Sequence, residues 1–152
     1  MQKKHFMPVV RSLITAAQSF ERCSSRHIRE LGLTPAQFDI VATLGNTDGM
    51  SCKELGEKTL ITKGTMTGVL DRLVEKGLLS RHDSASDGRS WITKLTPKGD
   101  ALFNEVFPAH TRFLGPFFAN FTEAELTGMR QQLDRLRAAF DPEIETEDRP
   151  IR

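Results

Sequence analysis

The chain is short of cysteine, of long apolar runs and of net charge, and each shortage removes a class of protein. Two cysteines, Cys23 and Cys52, in 152 residues cannot make a disulfide framework. They form no CxxC pair, and His5, His27, His82 and His110 are scattered, so no zinc-ligand spacing is present and no metal is expected. No apolar run approaches the ~20 residues that span a bilayer. Lys3 and Lys4 are not followed by an apolar segment and a small-residue cleavage site, so no secretory signal is visible and a cytoplasmic location is expected. Without a Gly-rich phosphate loop, a metal cluster or a nucleophile–base pairing, neither catalysis nor a cofactor is expected.

What is present is ordinary for a globular domain: 38% hydrophobic and 27% charged residues. The length allows a real core, in one domain or two interleaved halves. The net charge of +1 conceals an uneven distribution. Residues 1–31 carry six Lys and Arg against two Glu, a local +4. Residues 51–98 carry nine against six acids, +3, and residues 140–152 carry two against five, −3. Local field, more than the total, governs attraction to phosphate.

Apolar residues at Phe6, Val10, Leu13, Ala17, Phe20, Ser24, His27 and Leu31 recur every three or four positions, with Ser24 and His27 as polar members, predicting a long helix from Lys3 to Leu31 ended by Gly32. Thr34-Pro35-Ala36-Gln37 starts a second helix as a capping box, with Phe38, Val41, Ala42 and Leu44 inward. Asn46 to Gly49 is a turn. Ser51-Cys52-Lys53-Glu54 is another capping box, stapled by Met50 and Leu55, for a short helix ending near Thr59. Thr62 is expected to cap the next helix, with Met66, Val69, Leu70, Leu73 and Val74 buried and Gly77 as the stop. Leu78–His82 and Trp91–Leu95 read as two strands around a turn-rich loop. Thr96-Pro97 opens a long helix toward Phe118, with Leu102, Val106, His110, Phe113 and Phe117 on one face and a kink at Pro108. A third capping box at Thr122 and Glu125 starts a last helix, in which Leu126, Met129, Leu133, Leu136 and Phe140 make a helix–helix seam. The expected fold is mainly α with a small two-stranded ribbon.

Residues 70–99 carry a more specific signal. Leu70-Asp71-Arg72-Leu73, Gly77-Leu78, Arg81, Asp87-Gly88-Arg89 and Leu95-Thr96-Pro97-Lys98-Gly99 stand in one order. This order resembles the MarR (multiple antibiotic resistance regulator) family of winged helix-turn-helix transcription factors, and Thr34 to Phe38 matches that family's usual second-helix start. The resemblance covers the chain from the first helix to about residue 140. It implies a winged helix-turn-helix over 34–96, a helical dimerisation region over 1–31 and 97–140, and a tail over 141–152. It implies a homodimer on a pseudo-palindromic stretch of double-stranded DNA, acting as a repressor released by a small, often phenolic, acid. The extra apolar surface of the 126–140 seam and of Phe113–Phe121 agrees with self-association.

The DNA-contact residues follow from that placement. With Met66, Leu70 and Leu73 inward, the opposite face of the 62–76 helix shows Gly64, Thr67, Gly68, Asp71 and Arg72, with Thr62, Lys63 and Thr65 at its leading turn. Lys63 suits guanine acceptors or phosphate, and Thr65 and Thr67 suit base edges or thymine methyls. Gly64 and Gly68, four apart, either let the backbone approach DNA closely or mark a loosely packed surface helix. Ser51 is a phosphate contact or only a cap. Arg72 binds phosphate or pairs with a neighbouring acid, and Arg81 and Lys94 contact phosphate or support the wing. By resemblance Arg89, at the wing tip, enters a narrow minor groove, whose potential attracts an inserted Arg, while Asp87 holds the wing in shape.

Leu13, Ala17, Phe38 and Phe107, with Arg11 as carboxylate partner, are the candidate effector pocket, against an ordinary role in the core. Cys52, at the first turn of a capped helix beside Lys53, is the candidate for a rival, thiol-responsive mechanism. A winged-helix module that binds another protein in place of DNA is the remaining alternative.

Overall fold

The computed structural model describes residues 5–84 and 90–141. Among the described residues six helices and three strands follow one another as α1 (Met7–Glu30), α2 (Pro35–Leu44), β1 (Met50–Ser51), α3 (Cys52–Lys58), α4 (Lys63–Glu75), β2 (Leu79–Asp83), β3 (Trp91–Leu95), α5 (Pro97–Phe118) and α6 (Glu123–Phe140). The mainly helical expectation holds, but the ribbon is a three-stranded antiparallel sheet in the order β1-β3-β2. Met50 pairs with Thr93 and Ser51 with Ile92. A two-residue strand has no periodicity to announce it, so its sequence reads only as the lead-in to a helix cap.

Local chemistry sets the helix starts. Thr34, Ser51 and Thr122 each accept the amide of the residue three on, and Gln37, Glu54 and Glu125 return the bond to the cap backbone. These reciprocal boxes satisfy two orphan donors apiece. Thr62 departs from expectation. It occupies the cap position of α4, but its side chain accepts no amide there, and its hydroxyl donates to Thr65 Oγ1 at 3.1 Å. Two further readings shift: α1 begins at Met7, and β2 runs Leu79–Asp83, one residue later than expected. Pro108 does not interrupt α5, which is helical from Pro97 to Phe118.

The chain divides into two compact units, Met1–Leu114 and Gly115–Arg152. In the first, Ile40, Leu44, Met50, Leu55, Met66, Leu70, Leu73, Leu78 and Leu79 form the main core between α2, α3, α4 and the sheet. Ile28, Leu33 and Val106 make a smaller cluster with Phe38 against it, and Leu102 touches both clusters. Phe103 is buried although the expected α5 stripe passed it by. Its ring fills the space at Gly45, where an added Cβ would lie 2.2 Å from it.

Gly49 has φ +102°, and a Cβ there would also meet the Thr93 carbonyl at 2.8 Å. Only glycine combines that φ with such close approach to β3. Gly99 is as constrained by packing: its Cβ would lie 2.2 Å from the Leu78 carbonyl oxygen, so the first turn of α5 rests directly on the α4–β2 connection.

Two apolar faces remain uncovered. On α1, Phe6, Met7, Val9, Ile14 and Phe20 are exposed, and of the expected stripe before Ser24 only Val10 and Leu13 are half-buried. Periodicity revealed the helix but not what covers it. In the second unit α6 buries no side chain, and Met129, Leu133 and Phe140 are exposed.

Candidate nucleic-acid interface

Helix α4 is fixed by one face and offers the other. Met66, Leu70 and Leu73 are buried at helical spacing, so Lys63, Gly64, Thr65, Thr67, Gly68 and Arg72 are exposed together. A Cβ at Gly64 or Gly68 would meet nothing within 4 Å. Packing among the described residues therefore does not require glycine at either position. Among the described residues no ion pair holds Arg72.

Neighbouring elements clamp the end of α4. Lys98 Nζ donates to the Lys76 carbonyl at 2.8 Å, and Thr96 Oγ1 donates to the Gly77 carbonyl at 2.6 Å. These bonds from the start of α5 satisfy carbonyls that a helix end leaves orphaned. At the other side, Leu60 N donates to Asp39 Oδ2 at 3.3 Å and ties the α3–α4 turn to α2. Burial pushes the Asp39 carboxyl up, and that same N–H partly offsets it.

Ser51 caps α3, accepting the Glu54 amide at 3.1 Å. The Ser51 amide, and then its hydroxyl, hold the Glu54 carboxyl below its ordinary range. Cys52 is exposed on the first turn of α3, and Cys23 is half-buried. In the wing, Ser84 N donates to Ser90 O at 3.1 Å and closes its base. Asp87, Gly88 and Arg89 lie outside the described residues.

A cleft between α3, α4 and the sheet is lined by Ser51, Thr67, Asp71, Arg81 and Trp91 among others. Arg81 Nη2 donates to Asp71 Oδ1 at 2.5 Å. Trp91, half-exposed, was assigned no role from sequence. A lone aromatic in a short strand reads only as β propensity.

The candidate effector residues are placed separately. Arg11 lines a shallow cleft of α1 with Met7, Pro8, Val10, Ile14 and Thr15, and none of Leu13, Ala17, Phe38 or Phe107 lines it. Ala17 is exposed and Leu13 half-buried. Phe107 stacks on Phe103, and Phe38 packs edge-on to His110 with ring centres 4.9 Å apart.

His110 heads a polar cluster that periodicity could only render as a stripe. Its Nε2 lies 3.0 Å from Ser24 Oγ and its Nδ1 lies 2.9 Å from His27 Nδ1. His27 stacks flat on Phe113 with ring centres 4.0 Å apart. One proton must lie between the two Nδ1 atoms for that contact to hold. Burial, and then the charge of His27, lower the His110 pKa below its ordinary 6.5. The titratable group facing it from α1 is His27, while Phe38 of α2 and Phe113 of α5 add no charge. The unfolded chain therefore binds the proton first as pH falls. Stability contributed by neutral His110 is present above pH ~6.5 and is lost as pH falls through 6.5 toward the lowered value. The melting temperature should fall between pH 7.5 and 5.5, with a smaller fall in His110→Gln. Equal pH slopes for the two proteins would refute this.

Comparisons with known proteins agree with this arrangement. A model of the MarR family matches residues 31–90. The chain is similar to the HTH-type transcriptional regulator MhqR of Bacillus subtilis, with 30% identity over 124 residues, 82% of this chain and 86% of the relative. Among solved structures it is similar to BpsR of Bordetella bronchiseptica, described by the regulation of its DNA binding by 6-hydroxynicotinic acid. That match has 27% identity and a TM-score of 0.74, and covers 86% of this chain and 98% of the other. AbsC, a MarR family transcriptional regulator from Streptomyces coelicolor, shares the fold at a TM-score of 0.82 and 18% identity, over 94% and 99% of the two chains.

Proposed function

Since the chain belongs to the MarR family of transcriptional regulators, we propose that it acts as a homodimer that represses transcription from a pseudo-palindromic operator and is released by a small aromatic acid. One observation carries the DNA reading: α4 is buried on one face, clamped at its end, and exposes Lys63, Gly64, Thr65, Thr67, Gly68 and Arg72 together on the other. The leading turns of such a helix enter a major groove. Ser51 and Thr62, at the starts of α3 and α4, and Arg72 then meet the phosphate backbone, and the wing residue Arg89 reaches the adjacent minor groove.

The helical parts, 1–31 and 97–140, are the dimerisation region in this reading, flanking the DNA-binding part 34–96. A two-fold dimer spaces its recognition helices about one turn of DNA apart. BpsR supports the effector class, because its DNA binding responds to an aromatic acid.

Selecting bound duplexes from a random pool, with and without aromatic acids, tests the whole reading. A two-fold symmetric consensus lost on adding an acid is the expected result. No enriched sequence would overturn it. Arg89→Ala should weaken binding and reduce the slope of log K against log salt by about one unit. Affinity unchanged across a salt titration would remove Arg89 from the interface.

A further inference from the structure

We propose that Asp71 and Arg81 form a strut that positions the wing against the recognition helix, so that Arg81 acts on DNA through Asp71 and not by touching phosphate. The ion pair joins α4 to β2 at 2.5 Å. Among the described residues the other ion pair, Arg137–Asp134, lies within α6.

Strand register explains why the wing needs such a strut. Leu79 faces Leu95, Arg81 faces Thr93, and Asp83 faces Trp91. Directly opposed residues share a face of the sheet. Leu79 and Thr93 are buried on that face, whereas Arg81, level with Thr93, is exposed, as are Asp83 and Trp91 one step further out. Apolar anchoring of the wing to the helices therefore ends at Leu79 and Thr93. The pair sits at that outer limit, opposite Thr93, and adds a polar contact to α4 where burial stops.

The chemistry also separates two roles for Arg81. A guanidinium bound to a carboxylate forms a directional, charge-assisted bond, and the neutralised pair has little charge left for phosphate. Asp71, on the same α4 face as Thr67 and in the same cleft, would repel DNA were it not paired. Arg81 is thus a positioning residue, and Asp71 is its counterpart on the helix.

The experiment compares Arg81→Gln, Asp71→Asn, and the swapped double variant D71R/R81D with wild type. Amide hydrogen exchange at Ser80–His82 and Ile92–Lys94 and acrylamide quenching of Trp91, the single tryptophan of the chain, are measured without DNA. Both single variants should exchange faster and be quenched more, and the swap should restore both values. An exposed pair adds little to global stability, so all four proteins should melt alike. With operator DNA, each single variant should lose affinity by about tenfold without a change in salt slope, and the swap should recover most of it, since partners in one contact are non-additive.

The DNA arm rests on the operator-binding reading above, whereas exchange and quenching do not. Wild-type protein that binds no DNA defeats that reading alone, and the strut is then judged on exchange. Wild-type exchange and quenching in both single variants would overturn the strut. So would a slope reduced by about one unit in Arg81→Gln beside unimpaired binding in Asp71→Asn, which is the signature of a phosphate contact.

Discussion

Leu133→Asp is expected to convert a dimer into a monomer in sedimentation and to lower operator affinity by about 10²–10⁴-fold. The magnitude follows from avidity: two linked reading heads on two half-sites gain that factor over one head with no new contact. The site is chosen on the exposure of α6. Its seam, Leu126, Met129, Leu133, Leu136 and Phe140, repeats at three and four, yet the helix buries no side chain and Leu133 is 56% exposed. Apolar side chains in that pattern are the seam of a helix pair. The exposed Phe6, Met7, Val9, Ile14 and Phe20 of α1 add a second uncovered face suited to the same use. An aspartate at the centre of the seam would carry an unpaired charge into a desolvated interface. Because Leu133 is not part of either buried cluster, the melting of the DNA-reading part should change little. A Leu133→Asp protein that remains dimeric would move the interface away from α6.

Leu73→Ala is expected to destabilise the fold by about 2–5 kcal/mol, the range for emptying a buried leucine site. Leu73 is wholly buried in the main core, with Met66 and Leu70 on the same face of α4 and Leu78 and Leu79 after it. A domain of this size is stable by only about 5–15 kcal/mol, so the loss is a large share of the total. DNA binding should fail on heating well before that of wild type, although Leu73 faces away from the reading surface. Denaturant unfolding at matched protein concentration measures it. A change under about 1 kcal/mol would mean that α4 does not rest on that core.

Much of this was legible in the chain alone because it is local. The three capping boxes, the α4 stripe and the stop at Gly77 depend on residues within one or two turns of each other; the structure reproduces the boxes and the stop, and buries Met66, Leu70 and Leu73 of the stripe while Val69 and Val74 are half-buried. The Leu70–Gly99 order identified the family for a related reason: it is a string of adjacent structural punctuation marks. Thr62 shows the limit of such signals, since a threonine at the cap position can leave the first-turn amides without a side-chain acceptor.

Sequence by itself determined the six helices, the caps at Thr34, Ser51 and Thr122, and the basic segment from 51 to 98, because periodicity, capping and charge are written in near neighbours. Tertiary structure alone decided the rest. It added β1 to the sheet, packed Phe103 against Gly45, paired His27 with His110 across 83 positions, joined Asp71 to Arg81, and left α1 and α6 with apolar faces exposed among the described residues. Those outcomes depend on which distant surfaces meet, and a repeat of three and four residues records only that a face is apolar, not what it is apolar for.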